Sequence, residues 1–153
     1  MEIRIREVEP ADRQGWCRLR ALLWPDQSPQ EHAAELADWE QEGVLPVTFV
    51  AEETGGELVG FLEMALRNHA PGCQSSPVPF LEGWFVLESH RGQGIGALLL
   101  EMAERWAVAN GYHELASDSL IDNALSEAAH LAAGFTEVER LICWRKSLRD
   151  RSA

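Results

Sequence analysis

Two short stretches hold the residues best suited to chemistry. FLEGWFVL, residues 80–87, sets Glu82 and Gly83 inside an otherwise apolar run. A carboxylate buried there without a partner is costly, so it should hold a cation, move a proton, or meet a structural partner such as a buried arginine or a bulge amide. A glycine inside a strand marks a bulge or a place where a ligand approaches the backbone. RGQGIG, residues 91–96, follows and runs without a break into an apolar-periodic stretch. Glycines at 92, 94 and 96 remove side chains where the first unpaired helix N–H groups point outward, which makes a cradle for a phosphate. Neither common nucleotide fingerprint fits: there is no G-x-G-x-x-G with a later acidic residue and no Gly-Lys-Ser/Thr. A glycine-rich turn without a ligand is the plain alternative.

The elements that must position these residues can be read from periodicity and punctuation. EIRIRE, residues 2–7, alternates as a half-buried strand. Trp16, Leu19, Leu22 and Leu23 recur at helical spacing in residues 11–23, and Trp24-Pro25 ends that helix. Ser28-Pro29-Gln30-Glu31 is a capping box that opens a second helix to about Gly43. VTFVAEE and ELVGFLEMALR, joined around Thr54-Gly55-Gly56, predict a hairpin whose second strand puts Leu58, Leu62 and Met64 on one face and Val59 and Phe61 on the other. Residues 68–79 form a loop, with Pro71, Gly72, Pro77 and Pro79. FLEGWFVL is then a central strand and residues 94–110 a helix stopped by Gly111. HELASD is a short strand, a helix ends near Gly134, and FTEVERLICWRK is a long final strand. Strands and helices mix around one strand–helix–strand unit, so the class is α/β or α+β with a mostly antiparallel sheet.

Composition narrows the partners. The 153 residues, 46% hydrophobic and 25% charged, predict a single soluble domain spanning 1–153. Charges at nearly every second position of MEIRIREVEP argue against a secretory leader, and no apolar run reaches the length of a membrane span. With 25 acidic and 13 basic residues the formal net charge is −12, which disfavours nucleic acid and anionic membrane and attracts cationic ligands. Cys17, Cys73 and Cys143 are odd in number and widely spaced, fitting reduced packing residues in a cytoplasm. No metal-ligand spacing is evident.

Arg91-Gly92-Gln93-Gly94-Ile95-Gly96, an R-x-x-G-x-G at a strand-to-helix junction, resembles the acetyl-CoA pyrophosphate loop of the GNAT superfamily of N-acetyltransferases. The resemblance implies a mixed, mostly antiparallel twisted sheet of about six strands flanked by about four helices, with acetyl-CoA at the splayed central strands. It further implies that main-chain groups of Trp84, Phe85 and Val86 meet the pantetheine arm. Asp122-Asn123-Ala124 through His130 to Gly134-Phe135 looks like the family's asparagine-opened helix, and Asn123 would then touch the cofactor arm. His130 stands where many members carry a tyrosine that protonates the leaving thiolate; a satisfied helix residue is the preferred reading of it.

Leu23-Trp24-Pro25, residues 72–78, Phe80-Leu81-Glu82-Gly83, Ala116-Ser117-Asp118 and Glu137-Val138-Glu139-Arg140 together look like the short aminoglycoside 6'-N-acetyltransferases. By matching motif, Trp24, Glu82, Asp118 and Glu139 would line the antibiotic site. The loop Arg67-Asn68-His69-Ala70-Pro71 departs, being one residue shorter and lacking an aromatic. Each residue has a plainer reading: Trp24 as core, Asp118 as a turn or cap, Glu139 as a solvated strand position.

The resulting expectation is direct acetyl transfer from acetyl-CoA to a primary amine of an aminoglycoside, without a covalent intermediate, metal, nucleic acid or membrane. Glu82 and Asp118 are the candidates to position and deprotonate the amine, and β-strand amides would polarise the thioester carbonyl. The resemblance also implies a homodimer. Two rivals stand beside this: the same chemistry on a polyamine, small amine or protein N-terminus, and a non-catalytic acyl-CoA or antibiotic-binding protein.

Overall fold

The computed structural model describes residues 2–149. They fall into two compact units, the first ending at Asp118 and the second starting at Ser119.

The first unit is built on a five-stranded sheet in the order β1-β2-β3-β4-β5: β1 (Ile3–Glu7), β2 (Val47–Glu53), β3 (Leu58–Arg67), β4 (Val78–Val86) and β5 (Ala116–Ser117). The first four strands pair antiparallel with their neighbours, whereas β5 lies parallel to β4. After a 3-10 turn at Pro10–Asp12 come α1 (Arg13–Leu23) and α2 (Pro29–Glu42). The expected capping box forms: the Glu31 amide donates to Ser28 Oγ and the Ser28 amide to the Glu31 carboxylate, both at 3.1 Å. α3 (Ile95–Ala109) follows β4. Trp16 and Leu19 of α1 and Leu36 of α2 pack with Val50, Leu58 and Phe61. Gly60, alternating with Phe61, instead approaches Leu99 of α3. α1 and α2 therefore cover one face of the sheet and α3 the other.

Two slips in strand register matter. Ala51 pairs with Gly60 but Glu52 pairs with Leu58, so Val59 is the extra residue of a bulge. That turns Leu58 into the cluster of Phe61 and Trp16, rather than onto the face of Leu62 and Met64 that strict alternation predicts. The second slip joins Glu63 to Gly83 and Met64 to Leu81, which makes Glu82 the extra residue of β4.

The second unit contains α4 (Ala124–Ala132), capped by Asn123, whose side-chain oxygen accepts the Ser126 amide at 3.1 Å. Beyond Gly134 the expected final strand is not found: residues 135–149 carry neither strand nor helix, so the sheet has five strands among the described residues rather than about six. Alternation gives a segment the side chains of a strand, but a strand exists only where a neighbour accepts its ladder of hydrogen bonds.

Candidate active site

The site grows from the bulge in β4. Gly83 has no side chain because Trp24, at the end of α1, fills that space: a Cβ there would lie 2.6 Å from the Trp24 ring and 3.1 Å from Phe61. Trp24 thus sits against the backbone next to Glu82. On the other side, β4 and β5 pair only at Phe80–Ala116 and Leu81–Ser117. Asp118 follows one step beyond the last pair and Glu82 does the same on β4. Both carboxylates therefore stand where the two strands part, and residues 82–86 have no β5 neighbour.

Glu82 is half-buried and already partnered. Arg67, the last residue of β3, donates Nε and Nη2 to its two oxygens at 2.9 and 2.8 Å. The guanidinium also lies over the Phe80 ring, 3.5 Å from its centroid. Hydrogen bonding to Glu82, then the charges of Glu82 and Asp118, raise the Arg67 pKa above its ordinary value against a smaller opposing effect of burial. Of the fates expected for Glu82, the structure shows an arginine partner, and that arginine is exposed rather than buried.

Behind Trp24 lies a second, fully buried pair that sequence reasoning missed. Arg20 of α1 bonds both oxygens of Glu63 on β3, and Trp16 Nε1 donates to Glu63 at 2.8 Å. Arg20 also donates to Glu35 at 2.9 Å and through Nε to His32 Nδ1 at 3.2 Å. His32 then carries its proton on Nε2 and donates it to the Trp24 carbonyl at 3.1 Å. The Arg20 guanidinium lies 4.7 Å from the Trp24 ring centroid and 5.2 Å from that of Trp39. Burial pushes the Glu63 pKa up, opposed by Arg20 and the Trp16 bond. Trp24, Trp39, Gln27, Glu35 and Glu82 line a cavity of about 160 Å³ floored by Arg20 and Glu63.

The signals were present but ambiguous. Arg20 is four residues from Trp16 on the core face of α1, and Glu63 interrupts VGFLEMAL just as Glu82 interrupts FLEGWFVL. His32, Glu35 and Trp39 carried no spacing that set them apart.

The cofactor candidates lie along β4 and the start of α3. Trp84, Phe85 and Val86 pair with Leu62, Phe61 and Gly60 on the β3 side and face no β5 residue on the other. Val86 accepts Arg91 Nε on its carbonyl at 2.9 Å, so Arg91 is anchored to the end of the strand. Gly92 and Gly94 adopt φ of 78° and 82°, where a Cβ is strained. The first helical bond of α3 runs from the Leu98 amide to Gly94, so the amides of Ile95, Gly96 and Ala97 precede the ladder. Gln93 lies between the two left-handed glycines. Trp84 Nε1 donates to the Gly96 carbonyl at 3.0 Å, holding the loop to the strand. This donor set suits a pyrophosphate: adjacent amides at a helix N-terminus with an arginine beside them.

In the second unit, the Asn123 side-chain oxygen is committed to the cap of α4. His130 Nδ1 donates to the Ser126 carbonyl at 2.7 Å, and its ring meets Phe135 edge-on at 5.0 Å, in keeping with a helix-satisfied histidine. Glu139 is exposed on the segment without regular structure. Trp24, Glu82 and Asp118 are thus brought together within the first unit. Burial pushes the Cys17 and Cys73 thiols up, away from the thiolate form a nucleophile needs. Among the described residues no cluster of His, Cys, Asp and Glu could hold a metal ion.

Residues 13–135 match the model of the Acetyltransferase (GNAT) family, and the chain belongs to that family. It is 44% identical over 146 residues to an aminoglycoside N(6')-acetyltransferase type 1 of Klebsiella aerogenes, covering 94% of this chain and 96% of the relative. A Stenotrophomonas maltophilia protein of the same description is 43% identical, with 94% and 93% covered. Among solved structures, AAC(6')-Iy in complex with the bisubstrate analogue CoA-S-monomethyl-acetylneamine is 36% identical with a TM-score of 0.86, covering 96% of this chain and 99% of that one. AAC(6')-Ih from Acinetobacter baumannii is 34% identical with a TM-score of 0.87, covering 97% and 100%.

Proposed function

We propose that this protein transfers the acetyl group of acetyl-CoA to the 6'-amine of an aminoglycoside, directly and in a ternary complex. The observation that carries this reading is the convergence of Glu82, Asp118 and Trp24 at the point where β4 and β5 part, on a chain whose relatives bear that activity over nearly its full length. We infer further that the two units form one acetyltransferase domain, since the family match runs across their boundary.

The geometry of the first unit supports the following roles. The amides at the start of α3, with Gly92, Gln93, Gly94, Ile95 and Gly96, and the side chain of Arg91 hold the pyrophosphate. The main chain of Trp84, Phe85 and Val86 supplies donors to the pantetheine arm and to the thioester carbonyl, where charge develops as the amine attacks. Glu82 and Asp118 hold the amine, and a carboxylate, directly or through water, takes its proton so that the lone pair can react. Trp24 gives the sugar ring a flat apolar wall. Asn123 and Glu139 are assigned to the cofactor arm and the antibiotic from their motifs. Much of the acceleration comes from orientation.

Thiol release from acetyl-CoA tests this, with kanamycin and spermidine as parallel acceptors. Release with kanamycin is the expected result. Preference for spermidine would move the substrate to the polyamines, and binding of both ligands without thiol release would make the protein a non-catalytic binder. Gly94→Val, at a φ of 82°, should abolish acetyl-CoA binding, and unchanged affinity of the folded variant by calorimetry would remove the loop from the site.

A homodimer in the cytoplasm completes the proposal. Leu120, Ile121, Leu125, Leu131, Val138, Leu141, Ile142, Trp144 and Leu148 are all exposed, an apolar surface that a second copy would cover. Light scattering at a mass of two chains is the expected result. Cys17, Cys73 and Cys143 are unpaired, which suits a reducing compartment.

A further inference from the structure

The acidic site has a chemical problem: carboxylates that bind an ammonium also keep it protonated, and a protonated amine cannot attack a thioester. Arg67 is placed to relieve it. It donates to both oxygens of Glu82, at 2.9 and 2.8 Å, while resting on the Phe80 ring and lying within the field of Asp118. Its side chain is 43% exposed, so it stands at the mouth of the site rather than under it. The side-on fork occupies one lone pair on each oxygen of Glu82 and leaves others able to accept from a substrate. Across the cavity, Arg20 of α1 is already shared between Glu35 of α2 and Glu63 of β3, which leaves Arg67 as the cation committed to Glu82.

We infer that Arg67 is a specificity-determining residue: it stays on Glu82 as a resident cation beside the incoming amine, weakening the hold on the ammonium and easing loss of its proton. This rests on the assignment of Glu82 and Asp118 to the amine. Glu82 and Asp118 carry two negative charges against one from Arg67, so this end of the site still attracts an ammonium while Arg67 offsets part of that attraction. On binding, one N–H proton leaves the ammonium for a neighbouring carboxylate or water, and the nitrogen lone pair forms the new C–N bond; as the C–S bond breaks, a second proton leaves the acylated nitrogen and ends on the departing thiolate, giving the amide and the free thiol. A positive charge at Glu82 favours the first of these events because it disfavours the charged amine.

The test is steady-state kinetics with kanamycin at saturating acetyl-CoA across pH 6–9, on the intact protein and on Arg67→Gln, Arg67→Lys and Glu82→Gln. Arg67→Gln should lower the KM for kanamycin several-fold and move the midpoint of the pH dependence of kcat upward by about one unit, the usual scale for a neighbouring charge. Arg67→Lys, which keeps the charge and loses the fork, should keep the original midpoint. The inference is overturned if Arg67→Gln leaves both quantities unchanged, or raises KM with the midpoint unmoved, as a purely structural arginine would. Glu82→Gln separates the two levels. If it leaves kanamycin binding intact, the assignment of Glu82 to the amine fails; if it weakens kanamycin while Arg67→Gln behaves as the parent, only the role of Arg67 fails.

Discussion

β3 contributes to two arginine–glutamate pairs, one at each end of a short path through the site, and they differ in almost everything but their chemistry. Arg20–Glu63 is shut in, with side-chain exposures of 2% and 0%, while Arg67–Glu82 is open, at 43% and 26%. The inner pair has every neighbour it needs: Trp16, His32 and Glu35 complete its hydrogen bonds, and two indole rings flank the guanidinium. Its members have nowhere else to turn. The outer pair faces water and a ring, so its carboxylate keeps acceptor capacity for a substrate. Burial thus turns one pair into scaffold and leaves the other able to exchange partners.

Breaking the inner pair should give the largest effect. Arg20→Met leaves the Glu63 carboxyl in the core with no cation and only the Trp16 bond, and a loss of about 3–5 kcal/mol in stability is expected, read from the denaturant midpoint. A loss below about 1 kcal/mol would show that the two pairs are not different in kind. Gly83→Ala comes next, because it drives a methyl group into the Trp24 ring that the inner pair supports. Overpacking of this kind costs about 1–3 kcal/mol, and the KM for kanamycin should rise while acetyl-CoA affinity holds. Equal damage to both ligands would mean that Trp24 is core and not substrate wall.

At the outer pair, Glu82→Gln and Asp118→Asn should leave folding nearly untouched and weaken kanamycin more than the anionic acetyl-CoA. A lost charged hydrogen bond is worth roughly 1.5–3 kcal/mol when well buried and less at a half-open site. The measurement is the ratio of the two binding constants, which should also fall with added salt.

A third pair sharpens the scale between these extremes. Arg6 donates to both oxygens of Asp12 at 2.7 and 2.9 Å and to Glu52 at 2.9 Å, and the bond from Arg6 holds the Asp12 carboxyl below its ordinary value of 3.8. A carboxyl with a lowered folded pKa contributes stability that is present above pH 3.8 and lost as pH falls through the folded value. Asp12→Asn should lower stability near neutral pH by up to about 1 kcal/mol and change it little at low pH, so that the loss on the acid limb disappears; denaturant midpoints measured across pH 2–7 check this.

Local chemistry was enough for much of this protein. Ser28, Pro29 and Glu31 dictate the start of α2, and the glycines at 92 and 94 mark a turn that only residues without a Cβ make at low cost, because these signals act over a few bonds. The motifs containing Trp24, Glu82 and Asp118 likewise named three residues that the fold gathers. What the sequence could not separate was Glu63 from Glu82. Each is a carboxylate in an apolar strand, and their fates depend on what crosses the sheet: α1 brings Arg20 over the first, while the end of β3 brings Arg67 beside the second. The same limit explains Leu58, whose facing was reversed by a bulge opposite Glu52, and residues 135–146, FTEVERLICWRK, which were expected to form a strand. Register and pairing belong to two segments at once, and desolvation belongs to all the neighbours together; those quantities exist only after the chain has folded.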